Sequence, residues 1–298
     1  MFITHLRSGA AVGALALASS AFGQHADFVL FGESNPAAAN VPADHTFVHP
    51  ITSPYFHEDS FVTSDVRGWF VYHDLPNDIA LDGGNAWVAA VQLRLAITDQ
   101  IQLVAYKDGW LDIDSGAVDE SGMNDIAAGL KWNFIQNWEN QFHMAAGVGY
   151  ELPWGDDDVL QDDDEWRFWL SANKGWGKWH LGGTVNVFLA DDPNEDLGNS
   201  DWMSWHLHFD YRLTEQFSPV AEINGYHTLD EGFAPLPFSG VDVANLGGGK
   251  SEDVITLGLG GEYRFTDSLA ARAAYEFPLT DAEDLYGWRV TFSVVFSF

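Results

Sequence analysis

From Asp65 onward, apolar and polar residues alternate in segments of about ten residues, the length and period of a membrane-crossing β-strand. The pattern is clearest at Trp87–Ile97. There Trp87, Ala89, Val91, Leu93, Leu95 and Ile97 share one face, while Gln92 and Arg94 lie on the other. A helical period would scatter these residues around the axis. Segments near 65–73, 85–97, 101–110, 125–134, 141–154, 165–173, 179–190, 201–211, 219–227, 253–265, 269–279 and 287–298 follow the rule. The connections at 98–100, 135–140, 174–178, 212–218 and 266–268 are short. Those at 74–84, 111–124, 155–164, 191–200, 228–252 and 280–286 are mostly longer. The pattern predicts an all-β fold: a transmembrane, antiparallel, up-and-down β-barrel of about twelve strands, with short periplasmic turns and longer extracellular loops. An even strand number returns both ends of the barrel to the periplasmic side.

Aromatic residues gather where these strands end. Trp132, Phe134, Trp138, Trp176, Trp179, Tyr211, Phe217 and Phe265 mark one rim, and Trp110, Trp154, Trp166 and Trp202 the other. Two such girdles belong at the two headgroup levels of a bilayer. A soluble sandwich would also use aromatics, but it gives no reason for alternating loop lengths.

The two ends agree with export. Arg7, the small apolar run Gly9–Ala18, and Ala21 and Gly23 before Gln24 have the order of a secretory signal peptide over residues 1–23. Residues 24–64 lack the strand pattern and form a separate segment, either periplasmic or folded into the lumen as a plug. Residues 65–298 form the barrel. The last strand places Val290, Phe292, Val294, Phe296 and Phe298 on one face and stops at Phe298. This resembles the C-terminal assembly signal of bacterial outer-membrane proteins. The resemblance implies the bacterial outer membrane as location, with its lipid, its lipopolysaccharide and the barrel-assembly machinery as partners.

Composition narrows the picture. The formal net charge of -31 repels nucleic acid and excludes it as a partner. The mean hydropathy of -0.11 suits a barrel in which lipid-facing and lumen-facing residues cancel. The absence of Cys excludes a disulfide framework.

Strand phase turns Arg67, Arg94, Lys131, Arg167, Arg264, Arg272 and Arg289 inward, together with Glu222, Glu262 and Glu276. Barrel closure brings Arg67, Arg94, Arg264 and Arg272 together in the periplasmic half. The functional reading is a guide for an anionic solute or a dock for an acidic plug; the structural one is a network of Arg–Glu pairs. The plug would offer Asp44, Glu58 and Asp59 to this patch. Its Pro36, Pro42, Pro50 and Pro54 resist regular structure, while Phe47-Val48 and Pro54-Tyr55-Phe56 favour docking.

Two further groups have candidate chemistry. The acidic runs Asp156-Asp157-Asp158 and Asp162-Asp163-Asp164-Glu165, with Asp191, Asp192, Glu195, Asp196 and Asp201, are candidates for divalent cations and otherwise form a solvated, self-repelling surface. No organic cofactor is implied. His180, His206 and His208 face inward on adjacent strands and form a candidate metal cluster, with polar lumen filling as the plainer role. His143 lies lower on a nearby strand. Ser204 shares the face of His206, which raises a Ser–His hydrolase, although two-residue spacing on a strand separates such side chains by about 7 Å.

In layout the chain resembles outer-membrane channels for hydrophobic compounds, namely the long-chain fatty-acid channel family and the phenol-degradation meta-pathway family. Asn35-Pro36-Ala37 is similar to a tripeptide in the N-terminal hatch of the former, which has more strands than are counted here. The likeness implies a channel or passive transporter for a small-molecule solute, gated by the N-terminal segment. Twelve-stranded phospholipases and lipid A deacylases supply a second expectation, a lipid hydrolase. A structural or adhesive barrel with cation-binding loops is a third.

Overall fold

The computed structural model describes residues 26–38, 41–79, 81–161, 164–191, 199–233, 239–240, 242–248, 253–281 and 284–298. The expected signal peptide lies outside the described residues.

The strands are β1 (Asp65–Leu75), β2 (Gly84–Ala96), β3 (Ile101–Lys107), β4 (Trp110–Ser115), β5 (Asp119–Met123), β6 (Ile126–Asn137) and β7 (Phe142–Leu152). They continue as β8 (Glu165–Trp176), β9 (Trp179–Ala190), β10 (Asp201–Tyr211), β11 (Phe217–Asp230), β12 (Val254–Arg264), β13 (Leu269–Pro278) and β14 (Trp288–Ser297). All pairings are antiparallel, and β1 pairs with both β2 and β14, so the sheet closes on itself. β3 with β4, and β5 with β6, are each one barrel strand interrupted by a kink, which leaves the twelve strands that the alternation predicts. Among the described residues, closure leaves an edge only at β5, in the part of the β4–β5 hairpin that extends beyond the barrel, and none in the closed ring of strands, the condition for crossing a bilayer.

The outer face follows from the period of two. On β14, Val290, Phe292, Val294 and Phe296 are exposed, while Arg289, Thr291 and Ser293 between them are buried. Phe298 donates its N–H to the Ser64 carbonyl and accepts from the Phe28 N–H, which ties the C-terminus to the chain just before β1. Trp132, Trp176, Trp179, Phe217 and Phe265 are exposed at one rim, and Trp110, Trp154 and Trp166 at the other. Two expected rim residues turn inward instead. Trp202 is buried and stacks on Phe188 at 3.7 Å. Trp138 packs against His143 at 4.3 Å and Phe61 at 6.2 Å, beneath the lumen.

The expected loop 111–124 is mostly strand. β4 and β5 prolong the hairpin beyond the apolar band, with Leu111 and Ile113 buried inward while Asp112 and Asp114 face outward. The alternation persists but changes sign. Outside the bilayer the outer face meets water and the inner face meets protein, so a pattern sought as apolar-outward misses it. The change of phase falls at Ala105–Lys107, where the ladder to β6 shifts register, just ahead of the break between β3 and β4 at Asp108-Gly109. Gly109 has φ +120°, and a Cβ there would lie 2.6 Å from the Ala89 carbonyl oxygen. Gly109→Ala should therefore cost about 1–3 kcal/mol of stability, read as a lower temperature for loss of the compact form on unboiled SDS gels; an unchanged transition would show that the kink tolerates a side chain.

Residues of the N-terminal segment from Thr46 through Ser64 are all buried inside this barrel. Before that stretch, Leu30 and Phe31 hydrogen-bond the carbonyls of Ala96 and Ile97 at the periplasmic end of β2. Asn35 then reaches Gln136 at 2.7 Å beside the β6–β7 turn. The chain rises along β10 and β11, turns at Ser53–Phe56, and descends past β8, β6 and β3 into β1. Apart from an isolated bridge at Val62 it belongs to no strand, so beyond the turn at Ser53–Phe56 its backbone groups rely largely on side chains of the wall.

Candidate functional site

The site is the lumen wall and the segment it encloses. Every inward base and acid expected from strand phase is buried: Arg67, Arg94, Lys131, Arg167, Arg264, Arg272, Arg289, Glu222, Glu262 and Glu276. The expected basic patch is a set of ion pairs. Arg67 meets Asp65 at 2.6 Å, and Glu262 lies between Arg264 at 3.1 Å and Arg272 at 2.9 Å. Arg94 pairs with Glu58, whose second oxygen lies 3.0 Å from Lys131 Nζ. Asp59 lies 3.5 Å from the same Nζ and also pairs with His49. Two of the three plug acids thus meet wall cations. Asp44 instead lies near its neighbour His45 at the lower end of the segment.

The rest of the segment is held by charge-assisted hydrogen bonds. Glu222 accepts the backbone N–H of Ile51 at 2.9 Å and of Thr52 at 2.6 Å, along with the Thr52 hydroxyl. Asp210 accepts the Val48 N–H at 3.1 Å. At the apex, Arg167 donates to the carbonyls of Tyr55 at 3.0 Å and Phe56 at 2.7 Å, and also to Asn186. Its guanidinium lies over the rings of Tyr106 and Trp169, each at 4.6 Å, so a wholly buried cation is met by carbonyls and π-faces. On the descending limb, Ser60 donates to Asn173 at 2.7 Å and Gln102 donates to Thr63.

The extracellular side is covered by the chain between β11 and β12. Asp242 accepts two hydrogen bonds from Arg289 Nη1, at 2.7 and 2.9 Å, and one from the Tyr286 hydroxyl at 3.0 Å. Burial by itself would raise the Asp242 carboxyl, but the charges of Arg289 and His73 and the hydrogen bonds from Arg289 and Tyr286 together hold it below the usual carboxylate range. Asn245 accepts from Ser200 and donates to Glu165. The void beside Trp202, Tyr226 and Asn245 has a volume of about 10 Å³, room for one water.

The histidines are absorbed into the network. His180 faces Asp210 at 2.7 Å and the Gly177 carbonyl at 2.9 Å. His208 faces Glu222 at 2.6 Å and Asp210 at 3.1 Å. His206 faces Ser204 and Asn224, each at 2.8 Å. Both ring nitrogens of each residue are thus engaged by protein groups, and no metal-binding group of three His, Asp or Glu occurs among the described residues. The estimated 7 Å gap between Ser204 and His206 is closed because the imidazole reaches back along its own strand. Of the acidic runs, Asp162, Asp163, Asp192, Glu195 and Asp196 lie outside the described residues. Asp156 caps the Met123 N–H, and Glu165 turns inward to accept from Trp202.

Strand phase also reaches Glu151, Asp210, Asn186 and Asn224, inward residues not singled out above. Lys107, which pairs with Glu151, follows the shift at the kink and escapes the phase argument. Asp242 comes from a stretch without periodicity, and nothing in the sequence marks it.

A closed antiparallel barrel with an apolar outer band and a polar, charged lumen is the fold of a bacterial outer-membrane β-barrel. No protein-family model and no curated protein matches the chain, so neither family suggested by the layout is supported by such a match. Among solved structures the chain is similar to the COG4313 outer membrane channel from Pseudomonas putida F1, with a TM-score of 0.60 and 16% identity over 85% of this chain and 100% of that one. It is also similar to the NanC porin (TM-score 0.48, 8% identity, 79% and 98% coverage) and the KdgM porin (TM-score 0.48, 9% identity, 78% and 99% coverage). At these identities the likeness is one of fold.

Glu222 gives a direct test of how the segment is held. Glu222→Ala strips two buried N–H groups and His208 of their acceptor, which should cost about 3–5 kcal/mol. Chymotrypsin should then cut the folded variant within Phe47–Phe61 while sparing the wild type; equal resistance would show that the remaining contacts suffice.

Proposed function

We propose that the protein is a passive outer-membrane channel for a small solute and that residues 46–64 are its gate. The observation that carries this reading is the identity of the groups covering the central cations. Arg94 and Lys131 belong to the wall, but their carboxylates, Glu58 and Asp59, belong to a segment that is part of none of the barrel strands. Leaving the lumen would break hydrogen bonds and ion pairs but no part of the barrel ladder. It would uncover a lumen whose remaining charged groups favour anions. Arg272 adds to this bias, because only its Nε is hydrogen-bonded and both terminal nitrogens lack a hydrogen-bond partner. Twelve strands enclose a lumen between the filled barrel of about eight strands and the wide channel of 16–18. A small solute suits that width.

In planar bilayers, the full-length wild type should be mostly silent. Glu58→Gln combined with Asp59→Asn keeps shape and removes both charges, so it should raise mean conductance about ten-fold or more, the effect of roughly 1.4 kcal/mol on the closed state. Adding Arg94→Ala or Arg272→Ala to that background should lower anion preference in reversal-potential measurements. Folded variants as silent as the wild type would refute the gate. The absence of Cys offers a second check. Ser60→Cys with Asn173→Cys should lock the segment to β8 and suppress the current until reductant is added.

A second reading rests on Ser204, His206 and Asn224. Ser204 Oγ lies 2.8 Å from His206 Nε2, and His206 Nδ1 lies 2.8 Å from Asn224 Oδ1, the order of contacts in a hydrolytic triad. All three are buried, His57 stacks over the imidazole at 5.0 Å, and Asn224 also donates to Thr52. No carbonyl substrate reaches Oγ while the segment is in place. Lipid hydrolysis by the folded wild type, lost in His206→Ala, would favour this reading over the channel.

A further inference from the structure

Arg289 on β14 sits in a cradle contributed by three other barrel strands and the end of the β13–β14 connection. Its Nε donates to Glu276 on β13 at 2.9 Å, its Nη1 lies 3.2 Å from His73 Nε2 on β1, and its guanidinium covers the Tyr286 ring at 4.7 Å. Tyr226 on β11 closes one side, its hydroxyl 3.4 Å from that of Tyr286. All of these residues are buried. The group held in the cradle is a single carboxylate, that of Asp242, which accepts from the guanidinium through both oxygens and from the Tyr286 hydroxyl. Asp242 belongs to no strand. Its part of the chain is anchored by hydrogen bonds, with Asp284 accepting from Ser239 and Gly240, and Gln161 donating to the Val243 carbonyl.

A pattern separates the cations of this lumen. Arg67, Arg264 and Arg272 pair with Asp65 and Glu262, which are fixed in the wall. Arg289 on the extracellular side has Glu276 of the wall on one edge and takes a second carboxylate from a separable stretch of chain, as Arg94 and Lys131 deeper in take theirs. A buried guanidinium cannot be left bare at acceptable cost. Glu276 covers Nε and Nη2, but departure of Asp242 would strip Nη1 of both carboxylate oxygens and leave only His73 Nε2 within reach, so another anion best fills its place.

We propose that Arg289 and Tyr286 form an extracellular binding site for the carboxylate of a small anionic solute, and that Asp242 is the internal stand-in which that solute displaces. The onward passage of the solute rests on the channel reading; the binding step does not. The chemistry selects a carboxylate over a phosphate. The cradle faces a planar group with two oxygens, and Glu276, 2.7 Å from Arg289 Nη2, repels a second negative charge. The void beneath the covering chain holds only about one water, so the solute lodges only as that chain lifts. The acidic loops outside do not bar its approach, because their field is screened over roughly 8 Å at physiological ionic strength.

Calorimetric titration of the full-length protein in detergent with sodium propionate tests the site, with methylphosphonate and propylammonium as controls. Asp242→Asn keeps the side-chain shape but cannot compete as an anion, so it should bind propionate about ten-fold or more tightly than the wild type, and more tightly than methylphosphonate. Adding Tyr286→Phe, which removes only the hydroxyl donor, should weaken that binding several-fold; adding Arg289→Gln should abolish it. Each variant is first checked for the compact form on unboiled gels, and Tyr286→Phe keeps the test decisive if Arg289→Gln does not fold. Propionate binding no tighter in Asp242→Asn than in the wild type, or unaffected by Tyr286→Phe, would overturn the proposal. Silence of every variant in bilayers, with binding as expected, would count against the channel and leave the site standing.

Discussion

The structure depends on one constraint: a charge buried in this lumen must meet a counter-charge or a full set of hydrogen bonds. The shared ion pair of Glu58 with Arg94 and Lys131 shows how it is met. Among the described residues the ion pairs of both wall cations are with Glu58 and Asp59, while Asp65 across the ladder from Arg94 is paired with Arg67, so the N-terminal segment completes the wall's pairing. The dependence is mutual. That segment has no ladder of its own, and its backbone N–H groups are satisfied by Glu222 and Asp210 of the wall. In a water-filled pore both sides could turn to solvent. In a packed lumen each is the other's only solvent.

The outer face obeys a different rule. Lipid makes no hydrogen bonds, so β14 needs only a row of apolar side chains in alternation, and Val290 to Phe296 supply it without fine fitting. Polar matching is confined to the inner face, where Arg167 meets two carbonyls, an amide and aromatic rings. A substitution on the outside changes transfer energy in small steps. One on the inside leaves a donor or acceptor unpaired, which is far less tolerable.

This division bears on transport. The contacts that close the lumen are electrostatic and hydrogen-bonded, and they join elements that share no ladder. In the proposed channel these are the contacts that a solute would replace, while the hydrogen-bonded wall stays intact. The segment covering Arg94 and the chain covering Arg289 lie toward opposite ends of the barrel, and each presents a carboxylate to a wall cation. On the proposed reading, these carboxylates stand where an anionic solute would bind.

The alternation along the strands determined the barrel, its strand number, its two faces and the inward set from Arg67 to Arg289, because side chains on a strand have only two directions. It failed where that parity broke or changed sign. Lys107 follows a register shift, the β4–β5 hairpin inverts its pattern above the bilayer, and Trp202 and Trp138 turn inward although they lie at strand ends. Only the tertiary structure decided which charge meets which. Glu58 reaches Arg94 and Lys131, Asp242 reaches Arg289, and His206 bends back to Ser204. These partners lie far apart in the chain or differ by a rotamer, and no local period encodes either. Residues 46–64 read as irregular chain because nothing within them repeats; what orders them is the charge on the wall around them.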